Sequence, residues 1–463
     1  MNSTPEQLRF TSIPGCTIRA DFQGGGLSSD LGPLLLKGVD RQTGLTERLC
    51  AAIDDTRHPG YITHTLHDIL KQRIYQIASG YEDGNDCNTL RHDPAFRLGV
   101  GRKPFDADEL DAALASGSTI SRFEHAVDRK DIYRLSEALV DQFIASYASP
   151  PEALVLDIDH SEDAAYGQQP LVFYNHHYQS TCYLPLMIFE GLSGALVAAV
   201  LRPGKRPTGV ENAMILQRVL RRIRTHFPHT QILVRGDGHF STPALMAMID
   251  AMPHTDFLFG LPGNAVLRRR AEPAMQRACA LWAQVQTHDN APDAVRVYAE
   301  FSYAAGSWST PQRVVQKAEV MALGENPRFV VTSLQESTPQ RVYEELYCAR
   351  GQAENWIKQL KSDLASDRTS CTTFLANSMR LLEHAAAYVL HQQLRTQALQ
   401  HTALANAQPS TVIAKLFKIA VQVKQFKDRV ILHLPTSCPV RQLLHTVTER
   451  LFVPRPANML HAP

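Results

Sequence analysis

The sequence predicts a mixed α/β protein, with a sheet-and-helix core, a β-rich insertion and a helical region ahead of the core. Three patterns lead there. Strand-like runs at 154–158, 170–174, 182–189 and 195–201 precede a segment of helical periodicity at 212–227, and another strand run follows at 231–234. Strands, then a helix, then a further strand is the signature of a mixed sheet. Residues 295–303, 314–323 and 329–334 alternate as strands between Gly and Asn turns, with little sign of helix past Val285. Helical periodicity fills much of the chain before Ala148-Ser149-Pro150-Pro151 and again over 341–400.

The elements follow in order. The first forty or so residues carry Gly24-Gly25-Gly26 and few periodic signals, and read as an irregular start. Leu66, Ile69, Leu70, Ile74 and Ile77 then share one helical face, which stops near Gly80. Ser118-Thr119-Ile120-Ser121-Arg122 has the character of a helix start, and Arg122 there could face DNA. The divisions expected are a mostly helical region for docking or dimerisation at 1–150, a core at 151–254, a β-rich insertion at 255–340, a helical second part of the core at 341–402 and a basic tail at 403–463. A plain helical cap is the alternative for the first of these.

Composition narrows the classes. The 463 residues allow two or three domains, and 44% hydrophobic with 20% charged residues is globular, not disordered. With 47 Lys plus Arg against 46 Asp plus Glu, global charge gives no argument for a polyanionic partner. Any nucleic-acid surface must come from local clusters: Arg202, Lys205 and Arg206; Arg218, Arg221, Arg222 and Arg224; Arg268 to Arg270; and Lys415, Lys418, Lys424, Lys427 and Arg429. Each could equally be a solvated face. The eight cysteines contain no C-x-x-C pair, which argues against a zinc ribbon or disulfide scaffold and fits a reducing cytoplasm. No basic-then-apolar leader opens the chain, and no apolar run spans a bilayer, so no membrane partner is expected.

Acidic residues at strand ends carry the chemistry. Leu154 to Asp159 is an apolar strand ending in two acids, and period two puts Asp157 and Asp159 on one face. Gln231 to Asp237 repeats the pattern, with Ser241-Thr242-Pro243 starting a helix just after. One such acid is most often a turn cap. Two, at the carboxyl ends where α/β sheets place ligands, point to a site. A third acid, Glu354, lies in Y-C-A-R-G-Q-A-E-N-W-I-K-Q-L-K over 347–361. On an ideal helix Arg350, Glu354 and Lys361 fall about 60°, 20° and 40° from Tyr347, all rotated the same way. Alone, that stripe is most often a salt-bridged solvated face. Beside two strand-end acids it suggests a surface that meets both a metal and a phosphate backbone. Three hard oxygen ligands suit Mg2+ or Mn2+, and two such ions in one cluster support in-line phosphoryl transfer.

The trio Asp159, Asp237, Glu354, with Tyr347, Arg350, Glu354 and Lys361 spaced Y-x2-R-x3-E-x6-K, resembles the DDE transposases of bacterial insertion sequences that bear the YREK signature. L-D-I-D, S-E-D, Y-N-H-H-Y, C-Y-L-P-L, R-G-D-G-H-F and S-T-I-S-R-F-E narrow the resemblance to insertion-sequence family 1380. It implies a ribonuclease-H-like core with a β insertion between the second Asp and the Glu. It also implies catalytic metal ligands at Asp159, Asp237 and Glu354 (with Asp157 the alternative first acid) and two Mg2+ or Mn2+ ions per site. Tyr347, Arg350 and Lys361 match positions that contact transposon-end phosphates. The implied partners are double-stranded DNA, both terminal inverted repeats and target, and a second copy in a homodimeric synaptic complex. A cytoplasmic, nucleoid-bound cut-and-paste transposase follows; a nuclease that cuts without joining and a non-catalytic binding relic are the rivals.

Other residues carry less. Adjacent histidines on a strand point to opposite faces, so His176 and His177 are expected not to share a zinc ion. His239 reads as a surface-loop residue, and Cys348 lacks a base partner. Trp356 is expected in the core. Trp308, in the insertion, is a candidate platform for an unpaired base, with core packing the alternative.

Overall fold

The computed structural model describes residues 7–105, 113–286 and 292–453, and the chain divides into two compact units. The first joins Met1–Ala126 to Ala386–Pro463, and the second is Val127–Ala385.

In the first unit β1 (Leu8–Ile13) and β2 (Cys16–Ala20) form an antiparallel hairpin closed by Pro14-Gly15, where an irregular start is expected from sequence. A short β3 (Leu27–Ser28) precedes the helices Gly32–Thr43, Leu66–Ala78 and Pro94–Val100. Thr65 caps the second of these by accepting from Asp68 N at 3.1 Å, just before the expected apolar stripe. Ile69, Leu70, Ile74 and Ile77 from that stripe are all buried. The helix Gly117–Ala126 begins where Ser118 marks a start.

The second unit is built on an eight-stranded sheet. Its strands are β4 (Ala153–His160), β8 (Leu186–Glu190), β9 (Leu196–Val200), β10 (Gln231–Gly236), β11 (Thr255–Leu261), β12 (Ala294–Tyr303), β13 (Gln312–Met321) and β14 (Gly324–Thr332), in the order β12-β13-β14-β11-β10-β4-β8-β9. β4, β8 and β9 run as an antiparallel meander, whereas β10 lies parallel to both β4 and β11. The strands of the expected insertion extend this sheet, because β14 pairs antiparallel with the open edge of β11. The strand run expected over 182–189 is split by Pro185, which cannot donate to a ladder. Its first half becomes β7 (Ser180–Tyr183), in a small sheet with β5 (Asp163–Ala164) and β6 (Phe173–Asn175).

Alternation sorts β4 between two layers. Leu154, Leu156 and Ile158 are buried in one core with Ile232 and Val234 of β10 and with Leu216, Val219, Leu220 and Ile223 of the helix Gly209–His226. Each such burial stabilises by about 1.5–3 kcal/mol. Val140, Phe143 and Ile144 of the helix Arg129–Ile144 join that core, so this helix belongs to the second unit although it lies within the expected 1–150 region. Val342 and Tyr343 pack on the opposite side of the sheet with Leu258, Val315 and Val330.

The chain returns to the first unit within the helix Phe374–Leu394. There β15 (Val421–Gln425) and β16 (Val430–His433) form a hairpin that pairs with β3. A mixed basic tail is expected here from sequence, and its two strands are an addition of the fold. Among the described residues no helix is long and apolar enough to cross a membrane, and no cysteines are joined in a disulfide.

One buried ion pair ties the second unit together. The register sets Arg235 of β10 beside Asp157 of β4. The Arg235 Nε and Nη2 donate to Asp157 at 2.6 and 2.7 Å, and Nη1 donates to the Leu346 carbonyl at 2.6 Å. The two side chains are 3% and 0% exposed, so neither charge has water to fall back on. Gly191 leaves the necessary room: a Cβ there would lie 2.5 Å from Arg235 Nη2. Asp157→Ala, which strands the guanidinium, is expected to destabilise by about 3–5 kcal/mol in urea unfolding. A loss under about 1 kcal/mol would remove the pair from this role.

Candidate active site

The register that pairs Gly236 with Ile158 makes the next residues on the two parallel strands Asp237 and Asp159. Asp159 is 19% exposed and accepts from His160 N at 2.9 Å. Asp237 starts the loop after β10, and its Oδ1 accepts from His239 N at 2.9 Å. Burial pushes the Asp159 carboxyl up to about 6; Arg350 opposes this and the Asp237 charge adds to it.

Arg350 holds the third acid in the same place. Its Nη1 donates to Asp159 at 3.1 Å and its Nη2 to Glu354 at 3.4 Å. Glu354 itself is 66% exposed. The segment from Val342 to Asp363 stays helical but changes its winding. A wide i→i+5 turn over Val342–Tyr347 gives way to a tight turn over Cys348–Gly351, then α-helix over Gln352–Lys358 and a second wide turn over Gln359–Asp363. Such wide turns recur at functional sites because they re-aim side chains.

Tyr347 lies against β11, where a Cβ on Gly260 would meet its hydroxyl at 2.6 Å. The charges of Arg350 and Asp237 both act on that phenol, and burial raises it. Lys361 donates to the Glu162 carbonyl and lies 3.9 Å from Asp367. All four polar residues of the stripe thus belong to the second unit; Tyr347 and Arg350 interact with the strand-end acids, and Glu354 joins them through Arg350.

Asp157, the alternative first acid, shares the face of Asp159 but is fully buried under Arg235. Each of its oxygens accepts from Arg235, and the side chain is 0% exposed, so it is committed to that pair. Arg122 lies exposed in the first unit, with Nη2 donating to Thr119 at 3.3 Å. Trp308 packs edge-on to Tyr303 at 5.4 Å and lines a pocket of about 300 Å3 with Met246 and Asp250. The lining of the Trp308 pocket includes none of the three acids. Trp356, expected in the core, is half-buried and packs on Phe189 at 5.7 Å. His176 and His177 sit in the turn between β6 and β7, His176 edge-on to Tyr174 and His177 edge-on to Tyr178.

Two neighbours of the acids escaped the sequence reading. The ring of His177 stands 6.5 Å from that of His239, and Tyr178 feels the charges of Asp159, Glu162 and Asp237, its phenol pushed up to about 12 chiefly by burial. The Y-N-H-H-Y motif was visible, but nothing in it says that the turn folds over the acids. His160 stacks on Phe240 at 5.0 Å, and burial holds it down to about 3, neutral at ordinary pH.

The donor chemistry fits a divalent cation in part. The Asp237 charge adds to the cost of ionising Asp159, and a cation beside the two would relieve it. With Glu354 turned onto Arg350, no three His, Cys, Asp or Glu side chains among the described residues converge as a metal cluster.

Two strand-end acids, a helix-borne glutamate and the guanidinium between them make up the candidate site. The family model described as "Transposase DDE domain group 1" matches residues 10–455, and the chain belongs to this family. That membership implies a phosphoryl-transfer enzyme of the nuclease and transesterase kind. No curated protein matches the chain. Among solved structures, a piggyBac transposase synaptic complex with hairpin DNA is similar at a TM-score of 0.40 and 12% identity, covering 93% of this chain and 87% of that one.

The raised Asp159 carboxyl gives a pH test. A carboxyl that ionises at about 6 when folded, against about 4 unfolded, lends stability below pH 4 that is lost as pH rises through 6. In chelator-treated protein, Asp159→Asn is expected to raise Tm relative to the parent at pH 8 and not at pH 4. An equal effect at both pH values would show that Asp159 carries no such strain.

Proposed function

We propose that this chain is the transposase of an insertion sequence, of the family-1380 kind with the YREK signature. In this reading it binds the terminal inverted repeats of its element as a homodimer, cuts the strands there and joins the freed 3′ ends to target DNA. The observation that carries the reading is the placement of Asp159 and Asp237 on adjacent parallel strands, with Arg350 reaching from Asp159 to Glu354. The strand order β9-β8-β4-β10-β11, an antiparallel meander continued by parallel strands, supports a ribonuclease-H-like core.

Asp159 and Asp237 would hold a divalent cation, Mg2+ or Mn2+, and Glu354 would complete the set on leaving Arg350. A pair of such ions supplies an activated water or 3′-hydroxyl and neutralises the leaving oxygen. The chain's own residues do the positioning. Arg350, released from the carboxylates, has a planar fork suited to a phosphate. The Lys361 ammonium is held by the Glu162 carbonyl and the Tyr347 hydroxyl lies against Gly260 of β11, and each would turn from that contact to a phosphate. Contacts of this sort set the register on the DNA backbone without reading sequence.

The test is incubation of the protein with Mg2+ and DNA carrying the element's two ends. The parent is expected to cut at the ends and join them to a target plasmid. Asp237→Ala and Glu354→Ala are expected to lose cleavage by at least about a hundredfold while keeping DNA binding. Cleavage without joined product would make the protein a nuclease, and binding without cleavage a relic; parental cleavage by either variant would remove that acid from catalysis.

A further inference from the structure

The basic run between Lys415 and Arg429 has no part in the chemistry above, and the structure divides it. Lys418 is architectural: its ammonium bonds the buried Asp30 at 2.7 Å and lies 3.6 Å from the centre of the Tyr81 ring. Lys424, Lys427 and Arg429 are exposed on the β15–β16 hairpin, and none of the three has an acidic partner among the described residues.

The hairpin has a fixed root. Val421 and Val423 are buried against Ala95, Val423 N donates to the Gly26 carbonyl at 2.7 Å, and Gln425 accepts from Phe105 N at 3.0 Å. With Val423 turned inward, Lys424 takes the outer face, opposite Ile431 in the ladder. The four-residue end is closed by Phe426 N donating to the Arg429 carbonyl at 2.8 Å. The Arg429 guanidinium stands 5.0 Å from the centre of the Phe426 ring, which is 45% exposed. That stacking pre-orders the guanidinium and lowers the entropy it loses on meeting a ligand.

A stiff two-stranded ribbon with three unpaired cations and one acid, Asp428, at its free end fits a polyanion. We propose that this hairpin is a wing that grips the phosphate backbone of duplex DNA through Lys424, Lys427 and Arg429. The proposal rests on the DNA-rearranging function argued above. Phosphate contacts contribute affinity without sequence preference, and each releases condensed counterions. The wing therefore adds holding force to whatever reads the element's ends.

The experiment uses the full chain in chelator, so that no chemistry intervenes. Binding is followed by fluorescence anisotropy across a KCl titration, with a random-sequence duplex and with the duplex that flanks this gene. K424Q/K427Q/R429Q is expected to weaken binding to both duplexes alike. The slope of log K against log salt should fall by about 0.9 for each lost contact, about 2.7 in all. Phe426→Ser, which keeps every charge, is expected to retain the parental slope. A triple variant with the parental slope overturns the proposal, and so does a Phe426→Ser variant that loses as much slope as the triple. If the parent binds neither duplex, the functional reading falls together with the wing; if the parent binds and only the slope prediction fails, the wing alone falls.

Discussion

The buried pair between Asp157 and Arg235 is the constraint on which the site rests. It joins two parallel strands near the carboxyl end of β10 and, through the third guanidinium nitrogen, holds the backbone at Leu346, one residue before Tyr347. Taking two charges out of water costs several kcal/mol each, repaid only when every hydrogen-bonding direction is used. Here the fork of Arg235 is nearly saturated by one carboxylate and one carbonyl. A one-residue slip between β4 and β10 would bury both charges without partners. The register is thereby fixed, and with it the placement of Asp159 and Asp237, two residues further along the same face.

Above that pair the electrostatics change character. Asp157 is neutralised by a buried guanidinium whose three nitrogens all donate, whereas Asp159 shares Arg350 with the exposed Glu354 and faces a second acid. One layer of the sheet is a closed ion pair that serves structure. The next holds carboxylates in excess over their cation, an arrangement that stays unfavourable until positive charge is brought to it. Both layers use Asp and Arg, and burial with saturation decides which of them is chemically available.

The uneven winding of the segment from Val342 to Asp363 belongs to the same design. A uniform helix would fix the angles between Tyr347, Arg350, Glu354 and Lys361 by their spacing alone. Wide turns at both ends and a tight turn in the middle adjust those angles. Tyr347 thus reaches β11, Arg350 reaches β4, and Lys361 reaches the backbone just after β4.

Much of this was legible in the residues. Apolar runs ending in acids marked β4 and β10, helical periodicity marked Gly209–His226 and Leu66–Ala78, and the stripe from Tyr347 to Lys361 announced itself by spacing. Those signals are local, since period two and period 3.6 are properties of a segment by itself. Other features depend on pairing between distant segments. Asp157 and Asp159 are indistinguishable by alternation, and only the register against β10, which delivers Arg235 to the first and leaves Asp237 beside the second, separates them. The β1–β2 hairpin, β11 and the β15–β16 ribbon were not read from the sequence, and it is pairing with other strands that defines them here. Equally, Lys418 and Lys424 read alike in the chain, and the fold gave Asp30 to one and open solvent to the other. Sequence set which groups were available; the tertiary structure set which charges were neutralised, because neutralisation depends on distances that chain spacing does not encode.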